Sequence, residues 1–87
     1  MKKINFKEFK RFSDFKKTHI IRQDIREQMA NLLYTTAVGA AAASLSMKII
    51  NSDGEIEITE FEEKALMKSV NIYCSQSVID GINEMLK

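Results

Sequence analysis

The chain has no proline and no tryptophan, and among its 87 residues are one cysteine, one histidine and three glycines. Without proline, and with so little glycine, a strand-rich sandwich built on tight turns is disfavoured and helices are expected. The single Cys74 excludes an internal disulfide, which suits a reducing compartment. His19 stands alone, and a lone histidine needs a nucleophile or carboxylate partner before it means catalysis. No CxxC, HExxH, GxSxG or phosphate-cradling GxxxxGK[ST] occurs. The carboxylates of "EFEEK" read as a solvated helix face, so no enzyme is expected and no cofactor is called for.

A long apolar run is also missing. The nearest approach, residues 32–50, is rich in Ala, Ser and Thr and is interrupted by Lys48, whereas a span needs about 20 mostly apolar residues. A small holin-like membrane protein is the alternative reading of that stretch; the expectation is no membrane. The basic start is followed by further charges rather than an apolar core, so no secretory signal is read. A chain of this length buries roughly 60–65% of its unfolded surface and forms one domain, here 1–87. A partner subunit is one common source of the stability so small a core lacks.

What is present is a divided charge. Residues 1–22 carry eight Lys or Arg against Glu8 and Asp14, a balance of +6, while residues 23–87 sum to −5. Such asymmetry points to nucleic-acid or membrane contact. It also fits a basic arm (1–22) folded against its own acidic helical body (23–87).

The arm has Phe at 6, 9, 12 and 15, a spacing of three that gives no tight helical stripe. Ile4 and Phe6, then His19 and Ile21, alternate as strands do, and "FSDF" supplies a turn through Ser13 and Asp14. The expectation is a β-hairpin over about 2–11 and 16–22, with an amphipathic helix over 5–17 as the alternative. Phe interleaved with Lys and Arg resembles the surfaces on which single-strand binders stack bases. The candidate nucleic-acid residues are Lys7, Phe9, Lys10, Arg11, Lys16 and Lys17.

Beyond the arm, helical spacing prevails. Asp24 and Glu27 form an approximate capping box before Ile25, Met29, Leu32 and Leu33. Val38, Ala42, Leu45 and Ile49 then fall on one face of a helix whose small residues allow close approach all round, making it the expected centre of the fold. Ala40, Ala41, Ala42 and Ala43 are the candidate interaction or oligomer face. Thr59 with Glu62 starts a third helix, and Ser77 with Asp80 repeats the device before Val78, Ile82 and Met85. Gly81 costs about 1 kcal/mol relative to alanine within a helix, which implies a close contact there. The fold class is therefore α+β and helix-rich: a hairpin, about four helices and a possible short third strand at 55–58.

"NSDGEIEITEFEE" follows the spacing of an EF-hand loop if Gly54 takes its sixth place. Asn51, Asp53, Glu57 and Glu60 are then the candidate metal ligands, with the Glu55 carbonyl among them. Ile49 falls on the first position, where a hard cation needs an oxygen. The competing reading is a turn in which Gly54 adopts φ > 0, followed by a short strand and the cap at Thr59.

The "DGEI…E…L" junction after an Ala-rich helix resembles, over some 30 residues, the helical domains of tellurite-resistance proteins. A wider resemblance runs from "MKKINFK" through "DIREQMANLLY" and "SLSMKIINSDGEIEIT" to "VIDGINEML". That order is similar to a group of short proteins of tailed phages and prophages, notably of gut Bacteroidetes, for which no activity is established. The resemblance implies a phage or mobile-element context; with no catalytic motif present, the expectation is a non-enzymatic protein working by protein–protein contact, as a virion or assembly component or as an inhibitor of a host factor. A homo-oligomer in the host cytoplasm or the virion is expected. The alternatives are a nucleic-acid-binding accessory protein and an EF-hand-like calcium module.

Overall fold

A computed structural model describes residues 2–87. The elements run β1 (Lys2–Asn5), β2 (Phe9–Phe12), β3 (Ile20–Gln23), α1 (Arg26–Thr36), α2 (Ala40–Ile50), β4 (Glu55–Ile58), α3 (Glu60–Tyr73) and α4 (Gln76–Met85). The class is the expected α+β, and the 55–58 strand is present. The arm forms strands rather than a helix, but its pairing differs from a single hairpin over 2–11 and 16–22. β2 pairs antiparallel with β3, setting Phe9 opposite Gln23 and Phe12 opposite Ile20. β1 leaves the hairpin and pairs antiparallel with β4, setting Lys2 opposite Ile58 and Ile4 opposite Ile56.

Asn5 divides the two. Its side-chain oxygen accepts the backbone N–H groups of Lys7 and Glu8, each at 3.0 Å. This local turn diverts both N–H groups from any strand ladder. The Phe6 carbonyl then accepts the Ile25 N–H at 2.8 Å, fastening the bend to the start of α1. Ile4 and Phe6 point inward as their alternation implies, joining Phe9, Leu33, Leu45, Ile49, Ile58, Leu66, Val70 and Ile82 in the core.

Of the three capping boxes read from the sequence, one forms. Thr59 Oγ1 accepts the Glu62 N–H at 3.1 Å, and the Glu62 carboxylate accepts the Thr59 N–H at 2.8 Å. Asp24 lies one residue too early, because Ile25 is the N-cap of α1. Its carboxylate accepts the Arg26 N–H at 3.1 Å and clamps the Arg26 guanidinium at 2.8 Å. Ser77 lies two residues late, since Ser75 is the N-cap of α4. The Ser77 hydroxyl instead donates to the Phe12 carbonyl, tying α4 to the hairpin.

Two further expectations for the helices change. α2 begins only at Ala40, after Gly39 in the left-handed region at φ 109°, so Val38 falls outside it and is 96% exposed. Ala42, Leu45 and Ile49 do form the buried face, but α2 is covered on that side alone. Gly54 does not take positive φ; among the described residues Gly39 is the glycine that does. The end of α2 is closed by Ser52, whose hydroxyl and N–H both reach the Ile49 carbonyl, at 2.8 and 3.2 Å.

The close contact inferred at Gly81 is present. A Cβ there would lie 2.6 Å from the Lys10 carbonyl oxygen and 2.7 Å from the Phe9 ring. The missing side chain is the slot into which β2 settles on α4.

Candidate functional site

Four places carry chemistry-bearing residues, and the structure treats them differently. At the Asp-Gly junction, Asn51, Asp53, Glu57 and Glu60 are all exposed. Glu57 lies in β4 and Glu60 opens α3, while Ile49, the first position of the loop, is fully buried in the core. Among the described residues no group of three or more His, Cys, Asp or Glu converges as metal ligands would.

The second place is one the sequence reading valued only as a cap. Glu62 is buried at the junction of α2, β4 and α3, with 4% of its side chain exposed. It accepts from Lys48 Nζ at 2.8 Å, from Ser44 Oγ at 3.1 Å and from the Thr59 N–H at 2.8 Å. Burial pushes its carboxyl up, but the Lys48 ammonium, the Thr59 N–H and the Ser44 hydroxyl outweigh that and hold it below the ordinary range. Lys48 also donates to the Glu57 carbonyl at 3.3 Å, so one pair joins three elements. These bonds tie α2 to β4 and to the start of α3, which makes this a structural hub. The spacing of Thr59 and Glu62 signalled the cap; nothing in the sequence signalled Lys48.

The third is the basic hairpin. Lys7, Lys10, Lys16 and Lys17 are exposed as expected of nucleic-acid contacts, but Phe9 is wholly buried against Gly81 and has no face for a base. The reason is the period of two: Phe9 faces α4, and its neighbour Lys10 faces water. Arg11 is half-buried and donates to Gln23 Oε1 at 2.9 Å and to Ser77 Oγ at 3.3 Å. The aromatic side chain offered to solvent is Phe15, which is 100% exposed.

The loop that displays Phe15 is tightly hydrogen-bonded. The Asp14 carboxylate accepts the Thr18 hydroxyl, the Thr18 N–H at 2.9 Å and the His19 N–H at 3.2 Å. The Thr18 hydroxyl, followed by these backbone donors, holds the Asp14 carboxyl below its ordinary range. Lys17 takes a left-handed conformation at φ 60°, and its ammonium sits 5.4 Å from the centre of the Phe12 ring. His19 is exposed, with its ring against the Thr18 hydroxyl at 3.0 Å. Cys74, half-buried at the end of α3, has its thiol pushed up by burial and so is held away from the reactive thiolate form.

The fourth is the alanine stretch. Ala42 is buried and Ala41 half-buried, whereas Ala40 and Ala43 are exposed. Thus the four do not share one environment: two turn toward the subunit and two away. The outward pair is continued along α2 by Met47, 63% exposed, and Ile50, 46% exposed.

Among the described residues no helix is long and apolar enough to cross a membrane. The 32–50 stretch is broken at Ala37–Gly39 into two helices that pack on each other. Comparison with protein-family models, curated proteins and solved structures finds no match to this chain.

Proposed function

We propose that this is a non-enzymatic phage or mobile-element protein that works by protein–protein contact through the outward face of α2, with a second copy of the chain as its partner. The resemblance of the sequence to short phage and prophage proteins supports that context, in the host cytoplasm or the virion. The observation that carries the contact is the seam Ala40, Ala43, Met47, Ile50. All four are exposed, and their spacing of three, four and three is that of a helix–helix packing seam.

Two alanines at the start of the seam let a second backbone approach closely, and the two large side chains beyond them supply apolar area. Each fully buried Met or Ile contributes about 1.5–3 kcal/mol relative to exposure. A second α2 crossing at the alanines offers the same seam in return, as a two-fold contact requires.

The test is the mass in solution of the parent and of Met47→Glu. The parent is expected well above its 10.0 kDa monomer mass. The variant is expected at that mass with its melting behaviour retained, because Met47 is outside the subunit core. A monomeric parent removes the second copy as partner.

A further inference from the structure

We propose that the outward face and tip of the β2–β3 hairpin bind single-stranded nucleic acid, through residues other than the buried Phe9. The first observation is charge left unmatched. Lys7, Lys10, Arg11, Lys16, Lys17 and Arg22 take part in none of the ion pairs among the described residues, whereas Lys2 and Lys3 are each paired with a carboxylate of the body. The acidic half of the chain therefore neutralises the start of the arm and leaves the hairpin free.

The second observation is arrangement. Lys10 and Arg22 lie directly opposite each other in the β2–β3 register. Like charges so placed repel, and although Glu8 and Asp24 line the depression beside them, neither cation forms an ion pair. By the strand period, Phe12 and Ile20 share their face, so an apolar platform is flanked by two cations. A polyanion with apolar bases satisfies both at once: phosphates beside Lys10 and Arg22, a base over Phe12 and Ile20.

The third is the tip. Phe15, wholly exposed, stands between Lys16 and Lys17 on a loop fixed by Asp14. Beside it, an open depression of about 610 Å³ runs between Phe12, Phe15 and Lys17 on one side and Gln76, Ser77 and Asp80 of α4 on the other. Its two aromatic rings can stack bases without reading their identity, so little sequence preference is expected. The hydrogen-bonded loop fixes the backbone that carries Phe15, so the ordering that binding requires is confined to its side chain.

The experiment is fluorescence anisotropy with labelled homothymidine and homouridine strands about 20 nucleotides long, in about 50 mM salt. Binding of either strand is expected, falling steeply as salt is raised. Phe15→Ala is expected to weaken it about 5- to 150-fold, the range of one lost base stack, with the melting temperature unchanged because the side chain touches nothing. Lys10→Glu is expected to weaken it as well. Absence of binding in low salt overturns the proposal. So does displacement by polyglutamate as effective as by the unlabelled strand, combined with indifference to Phe15→Ala; that result assigns the hairpin to an acidic protein segment. Each readout is independent of whether α2 forms a dimer.

Discussion

The two small sheets of this protein each contain a basic strand and bury an apolar face in the core, but they differ in where the carboxylates lie. The β1–β4 sheet buries Ile4 and Ile58 and adds ion pairs: Lys2 meets Glu63 of α3 at 2.9 Å, and Lys3 meets Glu55 within the sheet at 3.8 Å. Behind them, Lys48 and Glu62 lock β4 to the helices. The β2–β3 hairpin is fastened by shape: Phe9 fills the slot at Gly81, and Ser77 anchors Phe12. The glutamates of β4 and α3 thus neutralise one basic strand, while β2 and β3 contain no carboxylate and leave theirs without an ion pair. The net charge of the arm, read as a single number, hides this division.

The comparison breaks most severely at Gly81. Gly81→Ala sets a methyl 2.6 Å from the Lys10 carbonyl oxygen, a backbone atom that cannot swing aside. Overpacking of this kind costs about 1–3 kcal/mol. A lower thermal midpoint is expected, with amide exchange accelerated first in residues 9–23. A variant that melts like the parent would mean that the hairpin is not seated in this slot.

An intermediate effect is expected at Glu62. Its carboxyl is held below the ordinary range in the folded protein, so the unfolded chain takes up its proton first as the pH falls. The stabilisation is therefore whole at neutral pH and is lost as the pH drops through and below the ordinary carboxylate range. Glu62→Gln should cost about 1–2 kcal/mol at neutral pH. The difference from the parent should shrink in acid, as shown by urea unfolding at several pH values. A constant difference would remove the charge-based account of that junction.

The smallest effect sharpens the contrast most directly. Lys3→Glu removes a matched charge and adds a third carboxylate beside Glu55 and Glu57, costing about 0.2–1 kcal/mol. Lys10→Glu replaces a repulsive pair with an attractive one opposite Arg22 and should stabilise by a similar amount. Opposite signs in a paired melting experiment support the division of the arm; equal signs erase it.

Much of this architecture was legible in the residues. The Thr59–Glu62 box, the strand at 55–58 and the tight approach at Gly81 rest on local chemistry, which a sequence displays. The pairing of β2 with β3 follows the expected hairpin, but the partner of β1 was not legible, because Asn5 divides the arm by hydrogen bonds to Lys7 and Glu8 while β4 lies some fifty residues away. The Asp24 and Ser77 boxes failed for another reason. Each side chain found a better-placed partner, Arg26 in one case and the Phe12 carbonyl in the other. Phe9 and Phe15 look alike in the sequence; only their seat in the hairpin makes one core and the other surface. The outward seam of α2 is hidden within a run of four like residues, because the helical turn sends Ala41 and Ala42 inward and Ala40 and Ala43, three apart, to the opposite side.

The pairing of β1 with β4 also sets an order of events. Closing a segment of about fifty residues has an entropic cost that local contacts within the α1–α2 pair and the β2–β3 hairpin do not bear. β1 is made before β4, and Ile4 stays without its strand partner Ile56 until β4 arrives. The slow step of folding is therefore expected at the closure of this sheet. Until then, the earliest residues of the arm are the part of the molecule most open to chaperones, proteases and mispairing with another chain.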